Sequence, residues 1–303
     1  MDWTCHRKTI RYNTCITNDR GKKMDYYMTD TNITAYLHHL EQEERAEATI
    51  EKYCRALRSF SAFLRHAAVT PEAIRDWKDS LRTRDYAPST INAFLAALNG
   101  FSSFCGWADC HARFLKIQRR LFRDSRRELT RSEYSRLVSA AEAAGDTQLA
   151  LIMETICSTG IRVSEVMYIT IEAARSGRTE IELKGKIRTI LLPSKLCRKL
   201  LRFAAQRKTV SGAIFRSRSG KPISRYQIWA KMKSLCTRAG VDADKVFPHN
   251  LRHLFATAFY HAYKDIVKLS DVLGHSSIET TRIYLATSAA EHQRQLEQLR
   301  LVL

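Results

Sequence analysis

The amino-acid sequence predicts a mainly α-helical protein of two domains, a four-helix N-terminal domain and a larger mixed α/β domain with one small antiparallel sheet. Three observations predict it. Apolar residues recur at spacings of three and four through most of 31–112, the stripe that an amphipathic helix buries. A basic stretch interrupts that pattern at about 113–128. The helical pattern then resumes, broken once near 180–192 by two short runs rich in isoleucine and leucine around a glycine turn. At 303 residues the chain is long enough for two separate cores.

Residues 1–30 show no apolar period and are rich in Lys and Arg, which predicts a basic, mobile tail. The first helix starts at Thr31. The second, over 48–66, places Ile50, Tyr53, Cys54, Leu57, Phe60 and Leu64 on one face. Thr70, Pro71 and Glu72 supply a cap, a first-turn proline and an acid favoured by the helix dipole, and so open a third helix through Trp77 and Leu81. Pro88 and Ser89 open the fourth, with Ile91, Phe94, Leu95, Leu98, Phe101 and Phe104 on one side. The segment 113–128 reads as a basic linker that also touches phosphates. Thr130 with Glu133 fits a capping box, so the second domain begins at about 129 and runs to 286. Within it, strands at Glu180–Leu183 and Ile187–Leu192 flank a tip carrying Lys184 and Lys186. Pro193 ends the second strand, and helices follow from Ser194, from about Ser224 and from Pro248.

A formal net charge of +19 points to a polyanionic partner, nucleic acid before any other. No apolar run is long enough to cross a bilayer and no signal peptide opens the chain, which together predict a cytosolic protein without a membrane partner. The eight cysteines lack a repeated CxxC spacing and read as free thiols. Cys105, Cys110 and His111 could offer three zinc ligands but lack a fourth at finger-like spacing, so no metal is expected.

Four motifs then need a common explanation: Ser158-Thr-Gly-Ile-Arg162-Val-Ser-Glu165, the Lys184/Lys186 tip, Pro248-His249-Asn-Leu-Arg252-His253, and Leu273-Gly274-His275 with Tyr284 nine residues on. Taken singly, each has a bland reading. Tyr284 could be a half-buried packing residue, His275 could cap the helix 264–273, and Arg162 could be a solvated helix-start residue. Taken together they meet the demands of phosphoryl transfer. Two planar guanidiniums, Arg162 and Arg252, can hold the non-bridging oxygens of a phosphodiester with paired bonds. A phenol with pKa about 10 costs about 4 kcal/mol to ionise near neutrality, a cost that neighbouring cations reduce. Tyr284 is therefore a candidate nucleophile and a tip lysine a candidate general acid. His249 can take the tyrosyl proton, and His275 can bond a phosphate oxygen. No carboxylate cluster has the spacing of a two-metal site, which favours a metal-free route.

At these residues the chain resembles the tyrosine recombinases of the phage integrase family, in the compact layout of its Xer-like members. The family's Arg, Lys, His-x-x-Arg, His and Tyr set falls on Arg162, Lys184, His249, Arg252, His275 and Tyr284. Family hairpins often read Gly-Lys-Gly-x-Lys, one residue longer than here, so Lys186 stays an alternative to Lys184. The resemblance implies that 31–112 is a SAM-like core-binding domain, that 129–286 is the catalytic domain, and that the two form a C-shaped clamp on double-stranded DNA. It also implies a 3′-phosphotyrosyl intermediate and a Holliday junction without ATP or any cofactor. Four protomers would act on two paired sites, with the segment 287–303 packing on a neighbour. Integration of a mobile element, excision, dimer resolution and inversion all remain open. So do two rivals, a type IB topoisomerase and a DNA-binding regulator that has lost catalysis.

Overall fold

The computed structural model describes residues 25–117, 127–183, 186–275, 277–284, 293–294 and 297–299. The chain divides into two compact units, Met1–Arg119 and Arg120–Leu303.

The N-terminal unit holds four helices, α1 (Asp30–Gln42), α2 (Glu47–Leu64), α3 (Pro71–Thr83) and α4 (Pro88–Cys105). The start of α1 is set by Thr29, whose side chain accepts from the Asn32 amide while Asn32 Oδ1 accepts from the Thr29 amide in return. Thr70 Oγ1 accepts from Ala73 N at 3.1 Å and so caps α3, with Pro71 in the first turn. The apolar stripes converge on a core of large rings: Phe60 lies 4.8 Å from Trp77, and Trp107 meets Phe101 edge-on at 5.3 Å.

This unit extends further at both ends than the periodicity indicates. Residues 1–24 of the expected tail lie outside the described residues, but Tyr26 pairs with Val69 and stacks on Trp107 at 5.1 Å. A single aromatic ring without any repeat docks there, which periodicity cannot reveal. On the other side, Asn99 bonds both the amide and the carbonyl of Ala112, at 2.7 and 3.0 Å, and Asn92 does the same for Leu115, at 2.7 and 2.9 Å. An asparagine amide donates and accepts at once, so two of them on α4 fasten the end of the expected domain and the start of the expected linker to the helix. Two of the three potential zinc ligands are bonded locally. The Cys110 thiol donates to the Val69 carbonyl, His111 Nε2 bonds Ser103 Oγ, and among the described residues no three His, Cys, Asp or Glu side chains could hold a metal ion.

The C-terminal unit begins with α5 (Arg131–Ala143) and α6 (Thr147–Thr159), followed by a 3-10 turn at Val163–Tyr168 and the short α7 (Ile171–Ser176). Next come β1 (Arg178–Leu183), β2 (Lys186–Leu191), α8 (Ser194–Gln206), α9 (Arg225–Ser234) and α10 (Cys236–Ala239). It ends with α11 (Pro248–Tyr263), α12 (Ile266–Leu273), α13 (Ile278–Thr281) and a 3-10 turn at Arg282–Tyr284. Thr130 and Glu133 form the expected capping box at the start of α5. Helix α6 is apolar nearly all round, from Leu149 to Ile156, and is the buried centre against which α5, α8 and α11 pack.

Strands β1 and β2 pair antiparallel, with Leu183 opposite Lys186 and Arg178 opposite Leu191. The strands start one or two residues earlier than the apolar runs suggest, because backbone pairing continues through polar Arg178 and Thr179. Ile181 and Ile190 face inward, and so does Arg188, which stands opposite Ile181. No helix among the described residues is long and apolar enough to cross a membrane.

Candidate active site

Two helix ends create the site. Helices α6 and α12 both stop at a glycine in the left-handed conformation, Gly160 (φ 67°) and Gly274 (φ 62°), where a Cβ would also collide with Phe255 and Arg188 respectively. The carbonyls at such an end have no partner within the helix and carry the negative end of its dipole, so they attract cations. Three arginines fill that role. Arg252, on α11 and only 3% exposed, donates from Nη1 to Gly160 O at 2.5 Å and from Nη2 to Leu273 O at 2.8 Å, bridging the ends of α6 and α12. Arg188 Nη2 donates to Val272 O at 2.6 Å, and Arg162 Nη2 reaches Gly274 O at 3.4 Å.

A buried carboxylate organises two of these cations. Glu165, 1% exposed, accepts from Arg162 N at 2.8 Å, from Arg162 Nη1 at 2.9 Å and from Arg188 Nη1 at 3.1 Å. Arg162 keeps 42% of its side chain exposed and presents its guanidinium at the surface, whereas Arg188 is almost covered and its Nε has no partner. Burial lowers the pKa of Arg188, with Glu165 opposing it. Burial and the charge of Arg162 bring Arg252 down to about 10, so it remains cationic at neutral pH.

His275 follows Gly274 directly. Its backbone amide caps α12 by donating to Ser270 O, so the bland reading of this residue is also correct. Its ring lies between Arg252 Nη2, 2.9 Å from Nε2, and Thr281 Oγ1, 2.8 Å from Nδ1. Burial and the cations Arg252, Arg162 and Arg188 push its pKa down to about 4, so the ring is neutral at physiological pH. His249 stands exposed at the start of α11, one turn before Arg252. It is held below its ordinary pKa by the protein around it and by Arg252 and Arg162.

The stretch between His275 and Tyr284 is bent as the spacing requires: Ser277 caps α13, which passes into the final 3-10 turn. The bend brings the two rings to 6.2 Å, nearly parallel at 10°. Tyr284 is 3% exposed, packed with Ala256, Leu269 and Leu273 and met edge-on by His253 at 5.0 Å. It is close enough to Arg252 for its charge to raise the arginine's pKa. The structure therefore brings together Arg162, Arg252, His275 and Tyr284, with His249 beside them. Lys184 lies outside the described residues. So does the side chain of Lys186, whose backbone opens β2. Motif reading assigns no role to Glu165, Arg188 or Thr281.

The profile described as the phage integrase family matches residues 127–291, more than half of the chain. The chain belongs to the phage integrase family. A second profile of that family, its N-terminal SAM-like domain, matches residues 33–108 in the other unit. Tyrosine recombinase XerD of Xanthomonas campestris pv. campestris is 32% identical over 230 residues, covering 69% of this chain and 70% of the relative. Tyrosine recombinase XerA of Pyrococcus furiosus is 28% identical over 275 residues, covering 87% and 92%. Among solved structures, a lambda integrase dimer bound to a COC′ core site superposes with a TM-score of 0.70 at 19% identity, covering 86% of this chain and 78% of that one. XerH bound to its difH substrate superposes with a TM-score of 0.64 at 18% identity, covering 88% of each chain. All six candidate residues lie inside the phage integrase match.

Proposed function

We propose that this chain is a site-specific DNA recombinase that cleaves and rejoins strands through a tyrosyl ester. The observation that carries the reading is the meeting of Arg162, Arg252, His275 and Tyr284, from four separate segments, around two helix ends in a chain of net charge +19. The relatives named tyrosine recombinases favour strand exchange over a topoisomerase or a silent binder.

In this mechanism Arg162 and Arg252 hold the non-bridging oxygens of the scissile phosphate, donating to charge that grows in the transition state. The Tyr284 oxygen attacks phosphorus, the bond to the 5′ oxygen breaks, and a 3′-phosphotyrosyl ester forms. Lys184, with Lys186 as the alternative, gives the leaving oxygen its proton, and His249 accepts the proton of the phenol. The freed 5′ hydroxyl of the partner strand reverses the step. One phosphodiester is exchanged for another, so no nucleotide cofactor is needed to drive it. Tyr284 and Arg252 are each 3% exposed, so in this reading both become more accessible when the duplex binds.

Pairing two sites through a Holliday junction requires four protomers. A groove of about 740 Å³ between β2 and α11, walled by Ile190, Leu254, Phe255, Phe259 and Tyr263, is apolar enough to take the segment 287–303 of a neighbour. Both units contact double-stranded DNA in this reading, in the cytoplasm where it is found.

The deciding experiment is incubation with a nicked suicide duplex carrying the exchange site, taken from DNA flanking the gene, followed by denaturing electrophoresis. An SDS-resistant protein–DNA adduct is expected from the wild type and none from Tyr284→Phe; an adduct that persists in that variant removes Tyr284 as nucleophile.

A further inference from the structure

We propose that Thr281 is a positioning residue whose hydroxyl reverses its hydrogen bond with His275 Nδ1 when a phosphate binds, so that His275 can present either tautomer. The proposal rests on the reading that a phosphodiester occupies this site.

The argument starts from what each partner can do. Arg252 Nη2 lies 2.9 Å from His275 Nε2, and a guanidinium offers only donors, so Nε2 must be the acceptor. In the neutral ring the proton is then on Nδ1, which donates to Thr281 Oγ1 at 2.8 Å. Burial, and then the cations Arg252, Arg162 and Arg188 with His249 beside them, keep the ring from taking a second proton. A ring in this tautomer cannot donate to a phosphate oxygen from Nε2.

When a phosphate draws Arg252 onto its own oxygens, Nε2 loses its donor and faces an acceptor. The favourable tautomer is now the other one. One proton leaves Nδ1 to solvent and one reaches Nε2 from solvent, with no change in the charge of the ring. Nδ1 then needs a donor. A carbonyl or carboxylate could serve only the first state and a backbone amide only the second, whereas a hydroxyl serves both by rotating. Thr281 has such a group, is fully buried, and stands one turn before Tyr284 in the segment that carries it. A wrong tautomer at a catalytic histidine is costly, and partners that fix ring orientation commonly affect activity by about 10- to 100-fold.

The test compares Thr281→Val, which keeps the shape without the hydroxyl, with Thr281→Ser, which keeps the hydroxyl without the methyl. With the full chain on the suicide duplex, Thr281→Val should slow single-turnover cleavage about 10- to 100-fold at unchanged DNA affinity. Thr281→Ser should restore most of the rate. A packing role predicts the reverse order, with Val silent and Ser impaired; that order, or equal rates in all three proteins, overturns the proposal. Independently of folding in those variants, 15N spectra of histidine-labelled Tyr284→Phe protein should show His275 protonated at Nδ1 alone when free and at Nε2 alone when bound to the duplex. A proton on Nδ1 in both states, or on both nitrogens in the complex, overturns it as well. Wild-type protein that forms no adduct would instead sink the recombinase reading and the bound-state half of this proposal with it, while the tautomer of the free protein still decides the other half.

Discussion

The N-terminal unit is closed by rings and aliphatic chains, with Trp77, Phe60, Phe101, Leu57 and Leu95 at its centre, and among the described residues Ser102 is its one buried polar side chain. The C-terminal unit has an aliphatic core of similar quality yet also buries Glu165, Arg252, Asn250, Ser270 and Thr281. Burying an ion costs several kcal/mol before its partners repay any of it, and apolar residues of like volume would often hold a fold equally well. Among the described residues only the C-terminal unit bears that cost, and it bears it where α6 and α12 end. The difference teaches that the buried charges of the second unit are gathered at two helix ends, where carbonyls and Glu165 hold arginines in place.

The largest effect expected from that contrast is on chemistry. Arg252→Ala removes a guanidinium held on both sides by carbonyls, and adduct formation should fall by about 10³-fold, the range seen when a fixed transition-state donor is lost. DNA affinity should change little, because many Lys and Arg share the phosphate contacts. Rates of adduct formation set beside dissociation constants at one salt concentration check this; parallel losses in both would break the assignment of the buried charge to catalysis.

Next in size is a change in the neutral core. Trp77→Ala, at a side chain 2% exposed and packed on Phe60, should cost about 3–5 kcal/mol in urea unfolding. A loss under about 1 kcal/mol would show a core able to collapse around the gap, unlike a set of interlocked rings.

The same contrast explains what the sequence discloses. Helices α2, α3 and α4 are legible from their stripes, and the caps at Thr70 and Thr130 from Pro71, Glu72 and Glu133 close by, because those signals are local. The six candidate residues are legible as motifs. Their geometry is not, since Arg252 finds its acceptors 92 and 21 residues away and Arg188 reaches a carbonyl 84 residues on. One signal for Arg188 was present: the hairpin's alternation places it on the face of Ile181 and Ile190, and a charge on an apolar face needs a buried partner. Glu165 carries no such flag, because an acid three residues after an arginine is ordinary on any surface helix. Tyr26 escapes for a related reason, a lone ring having no period.

A smaller effect follows from pH. The His275 pKa of about 4 in the folded protein lies below the ordinary 6.5, so between those values the unfolded chain binds the proton that the folded protein refuses. Stability is complete above pH 6.5 and falls on acidification, by at most roughly 2 kcal/mol by pH 5, with His249 acting in the same direction. Urea unfolding from pH 8 to pH 5 should show this slope in the wild type and a shallower one in His275→Gln. Equal slopes would mean that burial and the cations around the ring do not govern its protonation.

The smallest effect separates two residues of one type doing one job. Thr70 caps α3 in the N-terminal unit, its hydroxyl accepting from the Ala73 amide, and Thr70→Ala should cost about 1 kcal/mol with no change in cleavage. Thr130 caps α5, but its reciprocal partner Glu133 also accepts from Lys245 Nζ at 2.8 Å, and the Lys245 carbonyl in turn accepts from Asn250 beside His249. Burial raises the Glu133 pKa, yet the bonds from Lys245 and Thr130 outweigh it and leave the carboxyl below its ordinary value, ionised and committed to both partners. Thr130→Ala should therefore cost a similar amount in stability and also slow cleavage modestly, because the start of α11 loses part of what aims His249. Identical, purely thermodynamic losses in the two variants would show that capping is local in both units, and that the charged interior positions the site without help from the helix ends at its edge.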